Sequence, residues 1–137
     1  MKMRPYITFD GKAEEAIEVY KKAFNTDTIE LLRFSDMPPI PGFELPEEYK
    51  PKILQSTLKI GDDFIRVSDC GPGHDFNDSQ TEIVSIAVEA SVNEIKHAFE
   101  VLKAGGRVGI ELAHTFYSPC AGVVFDKFGI MWNLVAM

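Results

Sequence analysis

Apolar and polar positions change period several times along this chain, and each change marks an element. Residues 5–10 alternate, with Ile7 and Phe9 apolar against Tyr6 and Thr8, which predicts a strand. From residue 12 to 24 the period becomes helical: Ala13, Ala16, Ile17, Tyr20, Ala23 and Phe24 recur at three-and-four spacing. Glu14 and Glu15 stand in the first turn, Lys21 and Lys22 in the last, as the helix dipole favours, and Asn25 is a stop signal. Residues 28–34 read as a strand. Residues 52–60 and 64–68 read as a hairpin about the Gly61-Asp62 turn.

The order then repeats. Residues 82–89 predict a strand. Ser91-Val92-Asn93-Glu94 forms a capping box, Ile95, Ala98, Phe99 and Leu102 make an apolar helix face, and Gly105-Gly106 closes it. Residues 107–111 read as a strand, and 122–126 with 130–135 as a final hairpin around Lys127-Phe128-Gly129. Each half is therefore β-α-β-β-β, an α+β fold in which the repeat lies in element order rather than residue identity. The modules span about 1–70 and 81–137, joined by a polar, turn-rich linker at about 71–80. Residues 36–51 hold five of the eight prolines and predict a long loop, in position to act as a lid.

Strand parity sorts side chains into two faces. Ile7, Phe9, Leu54, Leu58, Ile65, Val67, Val84, Ile86, Val88, Ile130, Trp132 and Leu134 form a uniformly apolar set, suited to lie under the helices. Tyr6, Thr8, Gln55, Thr57, Phe64, Arg66, Ser68, Ile83, Ser85, Ala87, Met131 and Asn133 form a mixed set with little charge. That face reads either as a pocket in which a few polar groups orient a mostly apolar ligand, or as a second core layer with satisfied hydroxyls. Composition narrows the partners. Hydrophobic residues are 45% and charged residues 26%, a globular balance. The net charge of −7 opposes binding to nucleic acid or anionic lipid. No apolar run approaches the ~20 residues of a membrane span, and no signal peptide is legible. Two cysteines, Cys70 and Cys120, without a C-x-x-C motif, read as free thiols in a reducing cytoplasm.

Candidate chemistry is sparse. The three histidines do not cluster: His97 falls on the outward side of the second helix, and His74 lies in the linker beside Asp75 and Asp78. His114 precedes Thr115-Phe116-Tyr117 in a loop and is the best general acid or base present, though with no partner to name a structural role is the favoured reading. Arg66 either pairs with Asp69 or Glu82 or receives an anionic ligand group. Trp132 reads as core, whereas Phe116 and Tyr117 suit a cavity mouth. Gly71-Pro72-Gly73 and Gly105-Gly106 are turns, since no G-x-G-x-x-G follows a strand and opens a helix.

Several stretches together resemble one family: Pro5-Tyr6-Ile7-Thr8-Phe9-Asp10-Gly11 with Glu15-Ala16 and Val19-Tyr20-Lys21-Lys22-Ala23-Phe24, then Leu58-Lys59-Ile60-Gly61-Asp62, Ser68-Asp69, Thr115-Phe116-Tyr117 and Asp126-Lys127-Phe128-Gly129-Ile130-Met131-Trp132. The chain resembles, over essentially its whole length, the PhnB-like branch of the vicinal-oxygen-chelate superfamily, which includes glyoxalase I, extradiol dioxygenases and the fosfomycin- and bleomycin-resistance proteins. The resemblance implies the glyoxalase/bleomycin-resistance fold: two βαβββ modules whose curved mixed sheet encloses a cavity. It also implies a homodimer, module-swapped in some members. Metal-using members carry His and Glu on the cavity-facing strands. Here the matching positions hold Tyr6 or Thr8, Gln55, Ile83 or Ser85, and Asn133, which do not assemble the N/O/S ligands of a catalytic metal.

The expected function is binding of a small, partly apolar metabolite or drug in a metal-free cavity through Tyr6, Thr8, Gln55, Arg66, Ser68, Ser85, His114, Phe116, Tyr117 and Asn133. No metal, no cofactor and no catalytic residue is expected. PhnB-like proteins have carried a methyltransferase description, but no glycine-rich turn for S-adenosylmethionine is present. The alternatives are a lyase, isomerase or dioxygenase with an atypical metal site, or a non-catalytic interaction partner acting through its dimer surface.

Overall fold

The computed structural model describes residues 2–72 and 85–137. Strand β1 (Tyr6–Phe9) leads into helix α1 (Ala13–Phe24), followed by β2 (Thr28–Arg33), β3 (Ile53–Ile60) and β4 (Asp63–Asp69). Strand β5 (Ser85–Ala90), helix α2 (Val92–Lys103), β6 (Arg107–Ala113), β7 (Ala121–Phe125) and β8 (Met131–Ala136) repeat that order. The first sheet runs β1-β4-β3-β2 and the second β5-β8-β7-β6, so the first strand of each half pairs with its last. That pair is parallel in both sheets, and the other pairs are antiparallel. The fold is α+β, with the topology of the glyoxalase/bleomycin-resistance class. The chain divides into two compact units. One holds β1–β4 and α1 up to Lys21; the other holds β5–β8, α2 and Lys22–Asn25.

The parallel β1–β4 pair of the first unit is tied to its helix by one carboxylate. Asp69, at the end of β4, is 5% exposed. Its Oδ1 accepts from Ala13 N at 3.0 Å and its Oδ2 from Ile53 N at 3.0 Å. The first bond satisfies an otherwise orphaned amide in the first turn of α1, where negative charge also favours the helix dipole. The second anchors the start of β3. Helix α1 then buries Ala13, Ala16, Ile17, Tyr20 and Ala23, the face its periodicity predicted, and ends at Asn25 with φ 48. Beside this junction Cys70 is buried, with its Sγ 3.6 Å from Asp10 Oδ1. Burial, and secondly the Asp10 carboxylate, push the Cys70 thiol up.

In the second unit Asp126 plays a comparable part within a shorter span. Its Oδ1 accepts from Phe128 N and Ile130 N, and its Oδ2 accepts from Trp132 Nε1 at 2.9 Å. The turn closes through Gly129, whose φ of 87 suits a residue without Cβ. Trp132 is fully buried, with the Phe24 ring 5.2 Å away. The capping box at α2 forms as the sequence predicts, and its hydrogen bonds from Ser91 hold the Glu94 carboxyl below the usual range. Helix α2 packs across all four strands of its sheet with Ile95, Ala98, Phe99 and Leu102 buried. The paired glycines after it have separate reasons. Gly105 adopts φ +77, and a Cβ on Gly106 would stand 2.1 Å from Phe125 O.

The structure corrects the expected core in β3. The register pairs Leu32 with Gln55 and Arg33 with Ile53, so Leu54 is an extra residue in a bulge. Ile53 therefore turns inward with Ser56 and Leu58, and all three are fully buried, while Leu54 is half-exposed. Ile130 is likewise half-buried in the turn before β8 rather than in the core. Val84 lies outside the described residues. The proline-rich stretch contains two single 3-10 turns, Phe34–Asp36 and Glu47–Tyr49, and an Ile40–Phe43 bridge.

Two outcomes follow. Asp69→Ala strands two buried amides and is expected to cost roughly 3 kcal/mol, read by denaturant unfolding with the lone tryptophan, Trp132, as the fluorescent probe. A loss within experimental error of zero would show that the carboxylate is not the tie. Second, the raised Cys70 pKa keeps this group a thiol at pH 7–8. Its contribution to stability is present below the unfolded thiol's pKa and is lost as pH rises through the higher folded value. Disulfide-reagent labelling of Cys70 in the folded chain is expected to be at least about tenfold slower than in guanidinium.

Candidate functional site

Strand register settles which side chains share the open face of each sheet. In the first unit Tyr6 lies opposite Arg66, Arg66 opposite Thr57, and Thr57 opposite Glu30. This row crosses all four strands on one face. Thr8 lies opposite Ser68 on the same face. Tyr6 is 53% exposed, Thr8 is exposed and Arg66 is half-buried, whereas Thr57 and Ser68 are buried. Gln55 shares the face and donates its side-chain amide to Glu30 Oε1. The structure thus brings together five of the predicted residues: Tyr6, Thr8, Gln55, Arg66 and Ser68.

The expected internal partner of Arg66 is corrected. Asp69 lies opposite Phe9, on the helix side of the sheet, because three residues along a strand reverse the face. Both Asp69 oxygens are also committed to backbone amides. Among the described residues Arg66 forms no ion pair; its guanidinium carbon sits 5.8 Å from the Tyr6 ring centroid. Glu82, the other expected partner, lies outside the described residues, as do His74, Asp75, Asp78 and Ile83.

In the second unit Ser85 lies opposite Met131, and Ala87 opposite Asn133. Asn133 in turn faces Val123, which faces Ile110, and Met131 faces Phe125, which faces Arg107. Ser85 and Ile110 are exposed and Asn133 is half-buried. Arg107 lies over the Phe125 ring at 3.7 Å. The β6 and β7 members of these rows escaped the sequence reading, which assigned faces only to strands with clear alternation. Two irregularities in the β6–β7 register, after Val108 and after Ile110, are why the alternation there is obscured.

His114, Phe116 and Tyr117 belong to the loop after β6. Thr115 Oγ1 accepts from Ser118 N at 3.0 Å, and buried Ser118 donates to Ala136 O at 2.6 Å. This built turn holds Phe116 99% exposed, edge-on to Tyr117 at 5.1 Å. His114 is also exposed, at the end of β6. His97 is exposed too, and its Nε2 donates to Lys22 O at 2.9 Å. A separate pocket of ≈ 450 Å³ lies under the proline-rich stretch, lined by Phe34, Met37, Ile40, Phe43, Leu45 and Pro72. None of its lining residues carries a polar side chain, so it offers nothing to orient a substrate.

Tyr6 and Thr8 offer hydroxyls, Gln55 an amide already bound to Glu30, and Ser85 and Asn133 a hydroxyl and an amide. These do not fit a catalytic transition metal, which takes imidazole, thiolate or carboxylate ligands. Among the described residues no three His, Cys, Asp or Glu side chains come together as a metal-ligating group. A strand–glycine–helix cradle for S-adenosylmethionine does not fit either. The first turn of α1 is bonded by Asp69 and that of α2 by Ser91, so both helix N-termini are served from within.

Comparison with known proteins agrees with this architecture. The family model described as 3-demethylubiquinone-9 3-methyltransferase matches residues 1–135. Protein YjdN of Escherichia coli (strain K12) is 26% identical over 143 residues, covering 98% of this chain and 94% of its own. Protein PA1353 from Pseudomonas aeruginosa superposes with a TM-score of 0.81 at 27% identity, covering 99% of this chain and 97% of that one. A PhnB protein from Bacillus cereus, at 21% identity and full coverage of both chains, has a TM-score of 0.73 and shares the fold. The chain belongs to the family described as 3-demethylubiquinone-9 3-methyltransferase.

Proposed function

We propose that this protein binds a small, partly apolar metabolite or drug on the open faces of its sheets, without a metal or cofactor. The observation that carries this reading is the chemistry of those faces. Tyr6, Thr8, Gln55, Arg66 and Ser68 in one unit, and Ser85 and Asn133 in the other, set a few polar groups among apolar ones. A face made only for bulk solvent carries Lys and Glu, and a face made only as core carries no Arg. Phe116 and Tyr117, presented outward by the Thr115–Ser118 turn, add aromatic area, with His114 beside them.

The protein works as a homodimer in this reading, module-swapped or not. Ile29, Leu31 and Leu32 on edge strand β2 and Ile110 on edge strand β6 are exposed, and such edges invite pairing. Its place is the cytoplasm, where Cys70 and Cys120 remain free thiols. Among the described residues no helix is long and apolar enough to cross a membrane.

A thermal-shift screen of metabolites and antibiotics, with S-adenosylmethionine included, tests the binding reading. A ligand at about a hundred times its Kd stabilises by about 2.7 kcal/mol, a rise of several degrees in Tm. Asn133→Leu or Tyr6→Ala is expected to reduce that rise. A screen without any shift counts against binding. A transition metal retained stoichiometrically through dialysis would instead favour the lyase, isomerase or dioxygenase alternative. Light scattering is expected to report twice the monomer mass, and a monomer would remove the dimer proposal.

A further inference from the structure

Among the described residues, Arg66 Nε is the buried side-chain polar atom with no hydrogen-bond partner. The Arg66 side chain as a whole is half-buried, but a donor atom withdrawn from water without a partner is costly and rare in native proteins. The neighbouring acids do not serve it. Asp69 lies on the opposite face with both oxygens taken. Glu30 stands in the same row two strands away, about 10 Å at ordinary strand spacing, behind buried Thr57 and holding the Gln55 amide. The other nearby cation, Arg4, lies over Phe64 at 4.7 Å. Among the described residues Arg66 therefore faces hydroxyls and an aromatic ring, and no acid pairs with it.

We infer that Arg66 receives an oxyanion, the carboxylate or phosphate of a small molecule. This rests on the open-face binding reading and names the ligand class: an anion carried on an apolar or aromatic body. The planar guanidinium is suited to pair two oxygens at once. Tyr6, opposite Arg66 and 53% exposed, supplies the surface for the body. The chain's charge of −7 gives no long-range attraction for an anion, so short-range pairing does the selecting.

The test is a thermal-shift panel in phosphate-free, low-salt buffer. Carboxylates and phosphates are each paired with a neutral isostere, such as benzoate with benzamide and phenyl phosphate with phenol. Acids are expected to raise Tm more than their neutral partners, and Arg66→Gln to abolish the difference. The carboxylate and phosphate arms show which oxyanion is preferred. Neutral partners that shift Tm as much as the acids would overturn the anion inference and leave open-face binding standing. No shift from either set would remove both. Ligand-free Arg66→Met is expected to melt at or above the wild type, since it removes a buried donor atom that has no partner. A fall of ~4–8 °C would show that an internal partner holds Arg66, and the inference would fail even if Arg66→Gln did not fold.

Discussion

The carboxylate of Asp69 is the contact on which the first half of the molecule depends. It accepts from the first turn of α1 and from the first residue of β3 while itself ending β4. One residue thus sets where a helix begins, where a strand begins and how β4 lies beside β1. Because strand parity is strict, placing Asp69 on the helix side also places Arg66 and Ser68 on the other. The composition of the open face is a consequence of the structural tie. A side chain that accepts two buried amides is hard to replace, since loss of the acceptor leaves two unsatisfied donors.

Asp126 shows the same economy in the second half. Its two oxygens serve two turn amides and the indole of Trp132, so a turn and the largest buried side chain are held together. Between them, Asp69 and Asp126 account for the buried carboxylates described, and both are engaged in architecture. Acid groups that other chemistries would use as bases or metal ligands are therefore occupied. On the open faces stand amide, hydroxyl, aromatic and guanidinium groups, together with the Glu30 carboxylate held by the Gln55 amide.

One fold is a scaffold on which unrelated activities are built, and the activity lives in the side chains rather than in the fold. A description that names methyl transfer belongs to the family model as a whole. In this chain both parallel strand–helix junctions are filled by the protein's own oxygen atoms, Asp69 Oδ1 and Ser91 Oγ. The binding reading instead follows from residues exposed on the faces that the helices leave open.

The sequence alone determined the elements and their order. Apolar periodicity marked both helices, the Ser91 box marked one helix start, and Asn25 and Gly105-Gly106 marked the ends; all act within a few residues, so a local pattern carries them. The residues of the first open face, from Tyr6 to Ser68, followed from alternation for the same reason. Three things were decided only in three dimensions. The Leu54 bulge moved Ile53 into the core, which shows only against the partner strand. The irregular β6–β7 register hid the row from Asn133 through Val123 to Ile110. The partners of Asp69 lie 56 and 16 residues away, and they hold both its oxygens on the helix side of the sheet, away from Arg66. Such pairings are set by which strands come to lie side by side, a choice made by the packing of the whole sheet and written in no single segment of the chain.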